Sequence, residues 1–202
     1  MQSFFGVAFF VLYICMVPQN LNIVNLDKKY FNDIITLSNQ QFGEDFLSLN
    51  QLSNQTKGCV AVNGTKVLGF LIYKVCNLFS DLEPIVLKDK KEVKQLLNHQ
   101  FPVGVISTIA VDINYSNQGI GKKILETALN DLSNQCKSMI SFLWEHPNGT
   151  PLAHLLKQYD FKQKKVIKNY WFDDALLKGY NCKYCGNPCK CNCLVYFRKK
   201  NG

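Results

Sequence analysis

A short glycine-containing segment in the second half of the chain has the composition of an anion-binding loop. Gly119-Ile-Gly121-Lys122 follows an apolar run and precedes an amphipathic pattern of helical period. Glycine lets the backbone approach a ligand closely, and the free N–H groups at a helix start, with the positive end of the helix dipole, suit a diphosphate. The G-x-x-x-x-G-K-[ST] pattern is absent, and Ile124 stands where G-x-G-x-x-G needs its third glycine. The segment predicts either a phosphate-binding loop outside both common nucleotide folds or a plain tight turn.

Cysteines form a second group that could do chemistry, because five of the nine lie between residues 182 and 193. In Cys182-x-x-Cys185-Gly, the two thiolates of a turn converge on one tetrahedral metal. Cys189 and Cys191 would complete a four-thiolate zinc site. The alternation of Cys189, Cys191 and Cys193 also fits a strand that packs all three on one face. The cluster therefore predicts either structural zinc or a packed strand.

The elements that must position these residues follow an α/β pattern. The loop is preceded by Val103–Val111, which is apolar on both faces apart from Ser107 and Thr108 and therefore predicts a central strand. Asn63-Gly64 predicts a hairpin turn, and Pro151 suits the first turn of a helix. Predicted strands cover residues 21–24, 59–62, 67–73, 103–111, 139–144, 161–172 and 194–198. Predicted helices begin after Asp27 and near residues 46, 120 and 151, and residues 77–100 predict a loop and a solvated helix.

The domain organisation follows from the absence of repeats and low-complexity linkers. Residues 19–202 predict one α/β domain with a Cys-rich segment at 182–193. Residues 1–18 form a separate apolar segment, in which residues 4–17 lack charge but are shorter than the roughly 20 residues of a bilayer span. The sequence is compatible with a signal-anchor, a targeting segment or an element packed on the domain. It is also compatible with contact between residues 4–17 and a membrane or a larger complex.

Charge and cysteine usage exclude some function classes. The net charge is +8, but Arg198 is the one arginine among 23 basic residues. Because base readers depend on the bidentate arginine fork, a sequence-specific nucleic-acid partner is disfavoured. An odd cysteine total fits poorly with a fully disulfide-paired secreted protein. The compartment stays open between the cytoplasm and an organelle, with or without membrane association.

The segment Val111-Asp-Ile-Asn-Tyr-Ser-Asn-Gln-Gly-Ile-Gly-Lys-Lys-Ile-Leu125 resembles the acetyl-coenzyme A motif of the GNAT N-acetyltransferase superfamily. The predicted order of elements from about residue 21 to 198 is similar to that family as well. The resemblance implies the GNAT acyl-CoA N-acyltransferase fold, a mixed central sheet flanked by helices. It also implies an enzyme that moves an acetyl group from acetyl-CoA to an amine of a small molecule or protein by direct attack.

The same resemblance implies where acetyl-CoA would bind. Its pantetheine arm would lie beside the central strand, on the backbone of Ile109 and Val111. A backbone N–H there would stabilise a developing oxyanion. The diphosphate would lie on the backbone amides of Gln118, Gly119, Ile120, Gly121 and Lys122.

The chain departs from the family pattern at several places. Ser116 stands where an Arg or Gln is usual, and Ile113 replaces a usual proline. With Phe161 as anchor, Leu156 occupies the position of the tyrosine that acts as general acid, and Asp160 that of a glycine. These departures motivate an alternative function, in which a catalytically degenerate GNAT-fold subunit acts in binding or assembly. A zinc-ribbon interaction module is a third hypothesis.

The remaining base candidates lie at the ends of the two strands before and after the helix that begins at Ile120. Glu145 and His146 at the end of the later strand are the leading candidates for the base, and Asp112 is third. Tyr159 and His154 are the polar side chains near the missing tyrosine. We therefore expect Glu145, His146 and Tyr159 to be the catalytic residues.

Overall fold

The computed structural model describes residues 18, 20–53, 57–82, 90–145 and 149–200. The predicted segment 4–17 and His146 lie outside the described residues. The strands are β1 (Leu21–Asn25), β2 (Lys57–Asn63), β3 (Lys66–Cys76), β4 (Val103–Val111), β5 (Ser138–Trp144), β6 (Lys162–Ile167) and β7 (Cys193–Lys199). The helices are α1 (Phe31–Phe42), α2 (Leu49–Ser53), α3 (Lys90–Leu96), α4 (Ile120–Gln135), α5 (Pro151–Lys157) and α6 (Phe172–Lys178).

The seven strands form one mixed sheet in the order β1-β2-β3-β4-β5-β7-β6. Only β4 and β5 run parallel among these strands, and α4 is the crossover between them. The remaining neighbours are antiparallel, including the β2–β3 hairpin at Asn63-Gly64. Gly64 has a φ of +61°, which explains glycine in that turn. The prediction of a mixed sheet flanked by helices is confirmed.

Helices cover both faces of the sheet. On one face, α4 and α5 bury an apolar stripe that includes Ile124, Leu125 and Leu156. On the other face, α1 and α2 pack over β2 and β3 through residues such as Ile34 and Phe70. A second cluster on the same face covers β4, β5 and β7 with apolar residues of 79–82 and 93–101. The sheet is therefore the middle of three layers, and α4 is aligned over its centre.

The C-terminal part of the chain differs from the sequence prediction in two places. The strand predicted over 161–172 ends at Ile167, and a helix begins at Phe172. Asp173 and Asp174 in its first turn and Gly179 after it, with a φ of +76°, are ordinary helix boundary signals. The packed-strand alternative for the cysteines is wrong, because β7 begins only at Cys193. Across the described ranges, no helix is both long and apolar enough to cross a membrane.

Candidate active site

The two parallel strands at the centre of the sheet separate halfway along their length. Their pairing runs from Val103 with Ser138 to Ile106 with Ser141 and then stops. Burial follows the same boundary, because β4 is buried up to Ile106 and becomes exposed at Ser107. The sequence predicted a fully buried central strand, which holds for its first half only. We call the space between β4 and β5 beyond this last pair the gap; among the described residues, the second half of β4 has no strand partner on that side.

A β-bulge at Ser107 explains why the strands part. Tyr73 of β3 pairs with Ile106 and Ile72 pairs with Thr108, so that Ser107 has no partner in the register. Its hydroxyl donates to the Ile72 carbonyl at 3.0 Å, which holds the extra residue in place. A bulge bends its strand and increases the local twist. The bulge directly follows Ile106, the last β4 residue that pairs with β5.

The register of β4 decides which backbone groups face this gap. The Asp112 amide donates to the Leu68 carbonyl at 2.8 Å, so Asp112 belongs to a hydrogen-bonded pair with β3. Because such pairs alternate in antiparallel strands, Ile109 and Val111 direct their N–H and C=O groups away from β3. The Val111 carbonyl accepts a hydrogen bond from the Gln41 side chain at 3.2 Å, in agreement with that direction. The two residues expected to hold a pantetheine arm thus offer backbone groups to the gap.

The loop after β4 turns the chain from the gap into α4. Asp112 caps a short 3₁₀ turn by accepting from the Asn114 amide at 2.9 Å. Asn117 and Gly119 then have φ values of +58° and +76°. Left-handed residues in a tight loop orient successive backbone N–H groups toward a common point, which is a usual way to bind an anion. Ser116 uses its hydroxyl locally, by donating to the Ile113 carbonyl at 2.8 Å.

The start of α4 supplies free donors beside the end of β4. The first hydrogen bond at this end runs from the Lys123 amide to the Gly119 carbonyl at 3.1 Å, so the amides of residues 120–122 have no acceptor inside the helix. A Cβ atom added at Gly121 would meet only the Val111 side chain, at 3.6 Å. The space above this glycine is therefore open. Lys122 is exposed next to it and adds positive charge.

Glu145 lies at the other wall of the gap, directly after β5. Its carboxylate accepts from the Asn192 side chain at 2.7 Å, and its amide donates to the Asn192 carbonyl at 3.0 Å. A cavity of about 350 Å³ beside α5 is lined by Glu145 together with His154 and Tyr196. The sequence did not predict Asn192, for which a polar residue between two cysteines was the one available signal. Asp112, the third candidate for the base, lies at the far end of β4 and is 3.5 Å from the Lys66 ammonium.

The tyrosine candidate has a defined partner. Tyr159 donates to the Glu126 carboxylate on α4 at 2.6 Å. Burial and this hydrogen bond raise the pKa of Tyr159 to about 12, so the phenol is protonated at neutral pH. Leu156, at the position where the resemblance places the tyrosine acid, is fully buried in the core. A catalytic role for Tyr159 stays a prediction.

The predicted metal ligands come together in a compact turn that we call the cysteine knuckle (residues 180–193). The thiols of Cys182, Cys185, Cys189 and Cys191 all lie within 4.8 Å of one another. Burial raises the pKa of the Cys185 thiol, but hydrogen bonds from the Lys190 amide and the neighbouring thiols outweigh it, so that this pKa lies below its ordinary value. Cys193 is buried in β7 outside the group.

Comparison with known proteins agrees with this architecture. The chain matches the family model described as "Acetyltransferase (GNAT) family" over residues 22–161. No curated protein sequence matches the chain. Three similar solved structures illustrate the likeness in fold. Arabidopsis thaliana NAA60, in complex with a bisubstrate analogue, has a TM-score of 0.65 at 14% identity, and the match covers 90% of this chain and 99% of that one.

The other two structures have similar TM-scores and sequence identities. The ribosomal-protein-S18-alanine N-acetyltransferase from Escherichia coli has a TM-score of 0.60 at 13% identity, with 90% of this chain and 95% of that chain covered. Arabidopsis thaliana Naa50, in complex with the bisubstrate analogue CoA-Ac-MVNAL, has a TM-score of 0.60 at 15% identity, with 89% and 99% covered. Since the family model spans more than half of the sequence, the chain belongs to the GNAT acetyltransferase family.

Proposed function

We propose that this protein is an N-acetyltransferase that moves an acetyl group from acetyl-CoA to an amine. One observation carries the proposal: an unpaired edge of β4 leads directly to the free amides at the start of α4. A pantetheine arm needs backbone hydrogen-bond partners such as those on the unpaired edge of β4. A diphosphate needs N–H donors such as the free amides at the start of α4. The gap and the loop together suit a ligand that has both parts.

Each part of the site has a separate task in this proposal. Acetyl-CoA, when bound, supplies the acetyl group as a thioester that a neutral amine attacks directly. The amides of residues 118–122 and the Lys122 ammonium bind the diphosphate. The backbone groups of Ile109 and Val111 orient the pantetheine arm, and an N–H in this row stabilises negative charge that develops on a carbonyl oxygen in the gap.

Glu145 is the residue that we assign as general base. Amines are protonated at neutral pH, so the attack requires a group that removes a proton from the acceptor, directly or through water. The Asn192 side chain holds the carboxylate at the end of β5, on the wall opposite Ile109. The new C–N bond forms as the C–S bond breaks, and the departing thiolate takes a proton. Because Leu156, at the position of the family's tyrosine, has no acidic proton, solvent or Tyr159 would supply that proton.

The acceptor that we propose to test first is the N-terminal amine of a polypeptide. This choice is supported by the structural neighbours, which include the S18-alanine N-acetyltransferase and Naa50 with a CoA-Ac-MVNAL analogue. It is also supported by Glu44 and Asp45, two exposed acidic residues in the loop after α1. Gln41 ties the end of α1 to Val111, so this acidic loop lies near the gap and would attract an ammonium group.

Calorimetric titration with acetyl-CoA and detection of released CoA thiol test the proposal. We expect binding in the micromolar range or tighter, and thiol release that depends on a peptide with a free N-terminus. The matched control is the same peptide with an acetylated N-terminus, with which no CoA thiol should be released. No binding at high micromolar acetyl-CoA would contradict the proposal.

A second candidate function is favoured by the buried Leu156 at the position of the family's general acid. Under this alternative the chain binds acetyl-CoA or a partner without turnover and acts in assembly of a larger complex. The two functions differ in one measurement. Thiol release above the uncatalysed rate, with any amine in a panel of peptides and small amines, excludes the alternative. Acetyl-CoA binding without release across the panel supports it.

A further inference from the structure

The four thiols of the cysteine knuckle are spaced like ligands of one metal ion. The Sγ atoms of Cys182 and Cys191 are 3.8 Å apart, those of Cys185 and Cys189 3.7 Å, and those of Cys185 and Cys191 3.6 Å. In a tetrahedral site with zinc–sulfur bonds of about 2.3 Å, neighbouring sulfurs are about 3.8 Å apart. A disulfide would place two sulfurs at about 2.05 Å. The observed spacing therefore matches tetrahedral thiolate ligands, and the four cysteines are free thiols in this structure.

The backbone of the knuckle is built to direct these thiols inward. Cys182 and Gly186 exchange two backbone hydrogen bonds, of 3.2 and 2.9 Å, which close the turn of Cys182-x-x-Cys185-Gly. Gly186 has a φ of +73°, which favours glycine at the end of that turn. The Lys190 amide donates to the Cys185 sulfur at 3.2 Å. Donors of this kind stabilise thiolates and orient them toward a metal.

We propose that the cysteine knuckle is a structural zinc site with Cys182, Cys185, Cys189 and Cys191 as its four ligands. Four protein thiolates fill the tetrahedral coordination, so no position is open for water or substrate, and the role is structural. Two of the ligands, Cys182 and Cys189, are buried, which limits exchange with solvent. This assignment does not depend on the proposed acetyltransferase activity.

The position of the knuckle indicates what the zinc would stabilise. Lys183 makes two hydrogen bonds to the end of α1. Its backbone amide donates to the Phe42 carbonyl at 3.2 Å, and its side-chain ammonium donates to the Gln40 carbonyl at 2.8 Å, so the knuckle is fixed to this helix. The Tyr184 ring lies 5.2 Å from that of Trp144 at the end of β5. Zinc would thus hold a wall between α1 and β5, beside Glu145 and the open end of the gap.

Metal analysis of the purified full chain is the first test. We expect about one zinc per chain, removed only by a strong chelator under mild denaturation. Cobalt(II) added to the chelator-treated chain should give sulfur-to-metal charge-transfer bands in the near ultraviolet and tetrahedral d–d bands in the visible. A folded chain without zinc that gives no such bands, or a metal content other than zinc, overturns the proposal.

Variants and fluorescence give an independent readout. Both tryptophans, Trp144 and Trp171, pack against the buried group that contains Cys182 and Cys189, so metal removal should shift their emission. The double variant Cys185→Ala/Cys191→Ala should lose zinc, whereas Cys193→Ala, a cysteine of the same segment outside the group, should keep it. Zinc retained by the double variant, or a disulfide found between knuckle cysteines in the wild type, contradicts the proposal. If the double variant does not fold, the cobalt titration of the wild type still shows whether the four thiols bind a metal ion.

Discussion

A charge placed at Gly121 should separate acetyl-CoA binding from folding, because it acts on the two in opposite directions. Gly121→Asp adds a carboxylate in the first turn of α4, where negative charge stabilises a helix by about 0.3–1 kcal/mol. The space at this position is open, since an added Cβ meets only the Val111 side chain at 3.6 Å. The melting temperature should therefore stay the same or rise slightly.

The same carboxylate should weaken acetyl-CoA binding strongly. Two unit charges about 5 Å apart, at an effective dielectric constant of about 20, repel by about 3 kcal/mol. Salt screening reduces this to about 1.5–3 kcal/mol, which corresponds to a Kd about 10- to 150-fold higher. Gly121→Asn is the matched control, because it has the same size without the charge.

Calorimetric titration of both variants with acetyl-CoA is the assay. The difference between Asp and Asn should shrink as the salt concentration rises, since it is electrostatic. Equal Kd values for the two variants at low salt would refute the assignment of residues 118–122 as a diphosphate site. A fall in melting temperature for Gly121→Asp alone would refute the picture of free amides at the helix start.

Three further predictions concern the remaining parts of the site. Glu145→Gln should lower kcat by about 100-fold or more and leave the Kd of acetyl-CoA unchanged, measured by thiol release and calorimetry. The control is Glu92→Gln, an exposed carboxyl on α3, and an unchanged kcat in Glu145→Gln would contradict Glu145 as base. Tyr159→Phe should lower the free energy of unfolding by about 1 kcal/mol through loss of the bond to Glu126. Because folding raises the pKa of Tyr159 from 10.0 to about 12, this stabilisation is present below pH 10 and is lost as the pH rises through about 12. The free energies of unfolding of wild type and variant, measured by denaturant titration, should therefore converge near pH 12. A difference between them that stays constant with pH would contradict the bond to Glu126. If the cysteine knuckle binds zinc, its removal should raise the KM of the acceptor several-fold and leave the Kd of acetyl-CoA unchanged. Equal increases in the KM and the Kd would indicate global unfolding instead.

The sequence was sufficient to predict the strand and the helix on either side of the glycine-containing loop. β4 has the predicted bounds, Val103–Val111, because a long apolar run between breakers has few other solutions. The binding helix begins at Ile120 as expected, since the apolar residues after it recur with helical period and Gly119 precedes them. These features are local, and local patterns in a sequence are the ones that propensity and periodicity describe.

The gap between β4 and β5 could not be predicted from local patterns. It depends on a bulge at Ser107, and a bulge is a property of the pairing between two strands, in which β3 offers Ile72 and Tyr73 to three residues of β4. In the sequence, this feature leaves only a polar residue in an apolar run. The support of Glu145 by Asn192 is similarly non-local, because 47 positions separate the two residues.

The C-terminal part shows where periodicity misled. The 161–172 segment contains enough apolar residues to suggest one long strand, but the strand ends at Ile167. The sequence did not predict the helix that follows, although the Asp pair at 173–174 and Gly179 mark its two ends. For the cysteines, spacing alone left the strand and the metal site open. The structure overturns the strand, because β7 begins only at Cys193, and it brings four of the five thiols within 4.8 Å of one another. This convergence depends on the turn that closes between Cys182 and Gly186.

A crystal structure of the chain with bound CoA is the most direct test of the central claim. The account predicts the diphosphate on the amides of residues 118–122 and the pantetheine arm in the gap, hydrogen-bonded to the backbone of Ile109 and Val111. Its thiol end should lie between β4 and Glu145. CoA bound elsewhere, or a gap closed by side chains with no ligand at saturating CoA, would contradict the account.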